Sequence, residues 1–270
     1  MEMHVHAFSV RAGRAQAAAA DGWVRVPQAT LAFWIIKIMC TTVGETAADY
    51  LAFGAGWGQA ATRGLMFTLL LLALARQLQT PRYTPWIYWS SVVLVSIVGT
   101  QITDWFTDGL GLSLYVSTPI FALLLAGIFH VWHRVERTLS IHDIVTRRRE
   151  LFYWAAILCT FALGTAAGDL ATEALRLGFA RGALAFGALI AVTYAAWRLG
   201  GNAVYTFWIA YILTRPFGAA MGDLLTQAPA QGGLGMGAMR TSAIFLCVIV
   251  ALVGVEQYLR DDDAATAVRR

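Results

Sequence analysis

Long apolar runs dominate the chain, and short polar stretches separate them. Eight of these runs are about 20 residues long or more, at approximately 28–51, 62–79, 86–106, 112–133, 150–175, 178–198, 203–226 and 238–259. About 20 apolar residues in an α-helix cross the hydrocarbon core of a bilayer. The pattern therefore predicts an all-α integral membrane protein with eight transmembrane helices. It also predicts a flexible cytoplasmic N-terminal tail over residues 1–27, a membrane domain over 28–259 and a cytoplasmic C-terminal tail over 260–270.

One pattern occurs four times in this apolar background. The copies read "FWIIKIMCTTVGETAADYL", "YWSSVVLVSIVGTQITDWF", "YWAAILCTFALGTAAGDLA" and "FWIAYILTRPFGAAMGDLL". Each has Phe or Tyr before a Trp, a Gly ten residues after the Trp, and an Asp five residues after the Gly. The tryptophans are Trp34, Trp89, Trp154 and Trp208, the glycines are Gly44, Gly99, Gly164 and Gly218, and the aspartates are Asp49, Asp104, Asp169 and Asp223. The chain is therefore a tandem repeat.

The spacing of the copies predicts how the repeats cross the membrane. The glycines are 55, 65 and 54 residues apart, which is enough for two spans in each unit. We place the four hairpin units at about 28–80, 81–140, 148–200 and 203–259. With two spans each, all four units insert in the same direction, unlike the inverted repeats of many transporters.

The residues shared by the repeats predict a pseudo-symmetric bundle. A second small residue follows each glycine by four positions, as in Gly164 and Gly168 or Gly218 and Gly222. Small residues at this spacing let helix backbones approach closely in lipid. We therefore expect the odd-numbered helices to meet at the centre, with the even-numbered helices outside. The four tryptophans, near the start of each odd helix, are expected to anchor it at the membrane interface.

These features resemble a known family. Four tandem two-helix units, each with a tryptophan, are similar to the bacterial family of uncharacterised membrane-anchored proteins built from that repeat. The "GETAAD" run at 44–49 and "TRRRE" at 146–150 also resemble that family. The resemblance covers about residues 28 to 259, and it implies a fold but little chemistry.

Composition and charge agree with a membrane protein. Hydrophobic residues make up 58% of the chain and charged residues 13%, against roughly 25% charged in soluble domains. The net charge of +4 could suggest nucleic-acid binding, but 14 of the 18 Lys and Arg outside the mid-helix positions fall on the side of both termini. The positive-inside rule then predicts a bacterial inner-membrane protein with both termini cytoplasmic. We expect a lipid bilayer and no nucleic acid as its surroundings.

The first repeat differs from the others. Lys37, Thr41, Glu45 and Asp49 follow one another at intervals of four and form a stripe along one helix. Arg215 takes the place of Thr41 in the fourth repeat. Ionisable residues inside a membrane helix are costly and usually mark a substrate or ion pathway. We therefore expect the pathway to be lined by this stripe, the repeat aspartates and Arg215.

The balance of charge suggests a cation as the substrate. The predicted bundle contains five acids, Glu45 and the four repeat aspartates, against two bases, Lys37 and Arg215. The excess must be hydrated, protonated or balanced by a cation, and carboxylates suit Mn, Mg or Ca. We expect Glu45 and Asp49 to be the metal ligands of a secondary transporter or exporter of a small cation, such as manganese exchanged for protons.

Two alternatives remain open from the sequence. The charges could form an internal ion-pair network that only fixes the packing of a membrane scaffold or regulatory protein. An intramembrane enzyme is the other alternative, but the sequence has no recognisable phosphate loop, nucleophile triad, haem motif or zinc tetrad. We therefore expect neither enzymatic activity nor a cofactor.

Overall fold

Eight α-helices follow one another in residues 24–51 and 58–268, the parts of the chain that the computed structural model describes. They are α1 (Leu31–Asp49), α2 (Gln59–Gln79), α3 (Pro85–Asp104), α4 (Leu114–Glu136), α5 (Arg147–Asp169), α6 (Phe179–Arg198), α7 (Ala203–Thr226) and α8 (Ala238–Val268). These bounds confirm the predicted all-α fold. Seven of the helices are long and apolar enough to cross a membrane. The exception is α7, whose 24 residues are long enough but less apolar.

Local sequence explains where several helices begin. Thr30 caps α1 by accepting a hydrogen bond from the backbone N–H of Phe33. Thr146, the first residue of "TRRRE", caps α5 in the same way through Arg149. Asn202 accepts from two backbone N–H groups at the start of α7. Each cap satisfies donors that the first helical turn cannot satisfy itself.

The odd-numbered helices form a closed ring. α1 packs against α3, α3 against α5, α5 against α7, and α7 returns to α1. About two thirds of the apolar stretch of α1, α3 and α5 is buried, against 17% for α2, α4, α6 and α8. The prediction of central odd helices and outer even helices is therefore confirmed.

The outer helices pack in an order that the sequence did not predict. α2 lies mainly against α3, α4 against α5, α6 against α7, and α8 closes the circle by packing against α1. Each outer helix thus supports the central helix of the following repeat rather than that of its own. The repeats interlock, and the last helix of the chain joins them to the first.

The structure describes part of each predicted tail. Val24, Arg25 and Val26 were expected in a flexible tail, but Arg25 donates its backbone N–H to Ile144 and its side chain to Glu150. Val26 is buried. At the other end α8 continues to Val268, into the predicted C-terminal tail. The rest of the predicted N-terminal tail, residues 1–23, lies outside the described residues.

Candidate functional site

The central helices stack equivalent repeat positions into layers. Positions four apart lie on nearly the same face of a helix, about 6 Å apart along its axis. The first layer, at the start of the helices, is an aromatic girdle. It consists of the four repeat tryptophans and the Phe or Tyr that precedes each of them. The next layers contain Lys37, then Arg215 and the repeat glycines, then Glu45, and finally the four repeat aspartates. We call the two ends of this ring the tryptophan end and the aspartate end.

The aromatic girdle is closed around the ring. Each aromatic residue before a tryptophan contacts the tryptophan of the next repeat. The ring centroids are 5.6 Å apart for Phe33 and Trp89, 5.5 Å for Tyr88 and Trp154, 6.1 Å for Tyr153 and Trp208, and 5.6 Å for Phe207 and Trp34. The hydroxyls of Tyr88 and Tyr153 also share a 2.5 Å hydrogen bond. The repeated aromatic pair therefore joins neighbouring helices and closes the tryptophan end.

The tryptophans do not have the predicted position. Trp89, Trp154 and Trp208 are only 2–4% exposed, so they cannot anchor the helices at a lipid surface. Their indole N–H groups donate within the protein, to Glu256 from Trp89, to Glu150 from Trp154 and to the backbone carbonyl of Leu139 from Trp208. Trp34 is half-buried. Packing within the ring, rather than contact with lipid headgroups, explains this pattern.

The repeat glycines lie where neighbouring central helices are closest. A Cβ atom at Gly44 would lie closer than 3.0 Å to Ser96 on α3, and one at Gly218 would clash with Thr41 on α1. The same clash would occur between Gly99 and Phe161 and between Gly164 and Arg215. In each pair the neighbour stands three residues before the next glycine around the ring. Gly168 has more room, since a Cβ there would make only ordinary contacts with Pro216, whereas a Cβ at Gly222 would lie a tight 3.3 Å from the Thr46 side chain.

Arg215 crosses the centre of the ring. Its side chain is fully buried and donates to Glu45 Oε2 at 2.8 Å, forming a salt bridge between α7 and α1. The same nitrogen donates to the hydroxyls of Thr100 and Thr165, at 2.7 Å for Thr165. Nη1 donates to the carbonyl of Thr41 at 3.1 Å. One guanidinium thus joins α7 to the other three central helices.

The three side-chain acceptors of Arg215 share one repeat position. Glu45, Thr100 and Thr165 each directly follow their repeat glycine, and the fourth copy has Ala219. Sequence reasoning did not assign Thr100 or Thr165 to the site. Their equivalence to Glu45 in the repeat alignment was the signal that could have found them.

Lys37 lies one layer closer to the tryptophan end and has no acidic partner among the described residues. It is fully buried and donates to the hydroxyl of Thr214 at 2.7 Å and to the carbonyl of Tyr211 at 3.1 Å. Its ammonium lies 4.2 Å from the centre of the Tyr211 ring and 4.8 Å from that of Phe161. The possible pairing of Lys37 with Glu45 or an aspartate is therefore absent, and aromatic faces and oxygen dipoles surround its ammonium instead.

The four repeat aspartates separate into two pairs. Carboxylate oxygens of Asp169, Asp223 and Glu45 lie within 4.8 Å of one another, so these three acids could hold a metal ion. They come from α5, α7 and α1. Asp49, the predicted second metal ligand, is not in this group, and this part of the prediction is corrected. Asp49 instead lines a cavity together with Asp104 of α3.

Asp49 and Asp104 line a small cavity at the aspartate end. Its volume is about 90 Å³, and Asp108, Arg63, Gln59, Thr62 and Gln101 complete its lining. A wider and more open groove lies on the other side of Asp49, bordered by Glu173, Thr226, Gln227 and Arg240. The aspartate end is therefore polar, acidic and partly open, in contrast to the tryptophan end.

The helices change geometry beside the aspartates. α3 gives way to a π-helical turn, Trp105–Gly109, directly after Asp104, and α5 to another, Leu170–Ala174, directly after Asp169. Tyr50 and Leu51 also have π-helical bonding after Asp49. α7 instead remains α-helical for three residues beyond Asp223. Single π-helical turns within helices often occur at functional sites.

A second buried polar cluster lies at the tryptophan end. Glu150 is fully buried, and it accepts from Arg25 at 2.8 Å and from Gln77 at 2.9 Å. Nearby, Glu256 of α8 accepts from Tyr83 at 2.7 Å and from Trp89. Tyr83 lies in the loop between α2 and α3, where burial and the Glu256 carboxylate raise its pKa. Sequence reasoning missed this cluster, although Glu150 stands in "TRRRE".

Comparison with known proteins identifies the repeat. A family model described as a repeat of unknown function, DUF347, matches residues 32–83, 87–138, 152–200 and 206–261. These four matches cover most of the chain and follow the four repeats found in the sequence. No curated protein and no solved structure matches the chain.

Proposed function

The chain belongs to the DUF347 repeat family, and from this premise we propose that it is a secondary transporter or exporter of a small cation. A divalent metal such as manganese, exchanged for protons, is the proposed substrate. We further propose that the protein lies in a bacterial inner membrane with both termini cytoplasmic. In this orientation the tryptophan end faces the cytoplasm and the aspartate end faces outward.

One observation carries this proposal: Glu45 is shared between the buried side chain of Arg215 and an acidic cluster. Its Oε2 accepts from Arg215, while the carboxyl group also belongs to the cluster with Asp169 and Asp223. A cation arriving at the cluster would compete with Arg215 for the same carboxylate. Such competition gives two arrangements of the centre that differ in bound cation, which is what a coupled transporter needs.

The two ends of the ring support alternating access. The acidic end has a cavity and an open groove, whereas the girdle and the fully buried layer around Lys37 close the other end. We assign Asp49 and Asp104 to the outer part of the pathway, because they line the cavity. Thr41 contributes through its carbonyl, which accepts a hydrogen bond from Arg215, and Lys37 lies in the next layer toward the tryptophan end. Movement of Arg215 would then accompany opening toward the cytoplasm.

The direct test is cation flux in proteoliposomes. We expect purified protein to carry Mn²⁺ across the membrane with opposite movement of protons, and Glu45→Gln to abolish both. Glu45→Gln is isosteric, and Thr41, Thr100 and Thr165 remain as acceptors for Arg215, so the mutant is expected to stay folded in detergent. Asp143→Asn, in an exposed loop at the tryptophan end, is the charge-matched control. Normal flux through folded Glu45→Gln would contradict the proposal.

A non-transporting scaffold is the second candidate function, and a different observation favours it. Arg215 links all four central helices, and such a network can serve only to fix their packing. A scaffold predicts no flux in the wild type, lower thermal stability of Glu45→Gln, and partial recovery in the double mutant Glu45→Gln/Arg215→Met. Flux in the wild type excludes this candidate.

A further inference from the structure

Three acidic side chains from different repeats lie close together, and two of them lack a hydrogen-bond donor or a basic partner among the described residues. Among the described residues, no hydrogen-bond donor or basic side chain pairs with the carboxylate of Asp169 or Asp223. Asp223 is only 6% exposed. Burial of a carboxylate without a partner is costly, and a second carboxylate nearby raises the cost. A ligand that supplies positive charge would remove both penalties.

The position of Glu45 adds a third oxygen to this pair. Both hydrogen bonds to its carboxylate, from Arg215 and from Thr100, go to Oε2. Oε1 therefore remains for a ligand in the acidic cluster. Together the three carboxylates and the guanidinium of Arg215 carry two excess negative charges when all are ionised, which matches a divalent rather than a monovalent cation.

The three oxygens lie close enough together to bind a single ion. Two ligand oxygens on one ion can be no farther apart than twice the metal–oxygen distance, which is about 4.6–5.2 Å for Ca²⁺ and about 4.0–4.2 Å for Mg²⁺. The oxygens of Glu45, Asp169 and Asp223 lie within 4.8 Å of one another. Three oxygens this close together can bind one divalent ion of the size of Ca²⁺ without a large movement of the helices. Mg²⁺ demands near-ideal octahedral geometry and gives up its water shell reluctantly, so we expect it to bind more weakly than Ca²⁺ or Mn²⁺.

We propose that Glu45, Asp169 and Asp223 form the binding site for one divalent cation that gives up its water shell more readily than Mg²⁺, and that Arg215 is the competing internal cation. Asp49 and Asp104 lie outside this site and only deliver the ion to it. This inference deepens the proposed function and rests on it for its biological meaning. The site itself is tested by binding, independently of transport.

The experiment is calorimetric titration of the full-length purified protein with Mn²⁺, Ca²⁺ and Mg²⁺. We expect one ion per chain, with Mg²⁺ binding more weakly than the other two. Asp169→Asn and Asp223→Asn each remove one ligand and are expected to weaken Mn²⁺ binding at least about tenfold. Asp143→Asn removes the same charge far from the site and should bind as the wild type does. Thermal melting of each variant verifies folding.

The pattern of variants separates this site from a diffuse acidic surface. Asp104→Asn should weaken Mn²⁺ binding less than Asp223→Asn does, and Arg215→Met should strengthen it by removing the competitor. Equal losses in Asp104→Asn and Asp223→Asn, or no binding at all, would overturn the site. Binding without flux would instead contradict the transport proposal and leave the site intact. Flux that survives in Asp223→Asn would overturn the site and leave transport intact.

Discussion

The two ends of the central ring are built from the same four repeats and have opposite properties. At the tryptophan end the repeated positions carry aromatic rings, and each ring contacts one from the next repeat until the circle closes. At the aspartate end the repeated positions carry like charges, which cannot pack together in this way. Fourfold repetition therefore produces one end closed by aromatic rings and an acidic end whose aspartates separate into pairs.

The difference between the ends shows how single residues in two of the repeats break the symmetry. Only the first repeat has an acid after its glycine, and only the fourth has an arginine three residues before it. Their salt bridge joins α1 to α7, next to Asp169 and Asp223. Asp49 and Asp104 remain on the other side, around the small cavity. The asymmetric residues are thus where a chemical site can exist within a symmetric frame.

The largest expected effect breaks the closed end. Trp208 contacts five aromatic rings, those of Phe129, Trp132, Tyr153, Phe207 and Tyr211. Trp208→Ala should lower the free energy of unfolding by about 3–5 kcal/mol, since it empties a large buried volume. Asp104→Asn, at the open end, should change it by less than about 0.5 kcal/mol. Unfolding in mixed detergent measures both, and equal losses would contradict the proposed contrast between the ends.

A smaller effect is expected where the central helices touch. Gly44→Ala places a Cβ against Ser96, including its backbone, so the helices must move apart, at a cost of about 1–3 kcal/mol. Gly127→Ala on α4 is the matched control, because the space beside Gly127 is open. Alanine there should stabilise the helix by about 0.5–1 kcal/mol. The same unfolding assay compares the two, and a Gly44→Ala protein as stable as Gly127→Ala would show that this contact is not tight.

Repetition explains why much of the fold could be predicted from the sequence. The apolar runs predicted the helices. Because the four aligned copies identify equivalent residues, the small residues near Gly164 and Gly218 also predicted the central ring. The packing of each outer helix on the next repeat could not be predicted, because a connecting loop does not determine which neighbour a helix contacts. The predicted position of the tryptophans was wrong for a related reason. At the same depth along a helix, a tryptophan can face either the membrane interface or the neighbouring central helices.

The candidate site was predicted only in part. The stripe of Lys37, Thr41 and Glu45 lies in the centre as expected from its spacing, and all three are buried. The lateral order of the helices determines which aspartates lie beside Glu45, and this order could not be predicted from the sequence. The partners of Lys37 were unpredictable for another reason, because one of them is a backbone carbonyl.

The central claim is that the ring is open to water at the aspartate layer and closed to it near the girdle. This claim can be tested on a single helix. Asp104 and Val92 both belong to α3, three turns apart, and Val92 is fully buried. In a background with Cys40, Cys159 and Cys247 replaced by alanine, each position is changed to cysteine. The detergent-purified protein is then treated with a charged, water-soluble thiol reagent. We predict that Asp104→Cys is modified completely while Val92→Cys stays unmodified in folded protein. Equal modification of the two cysteines would contradict the account.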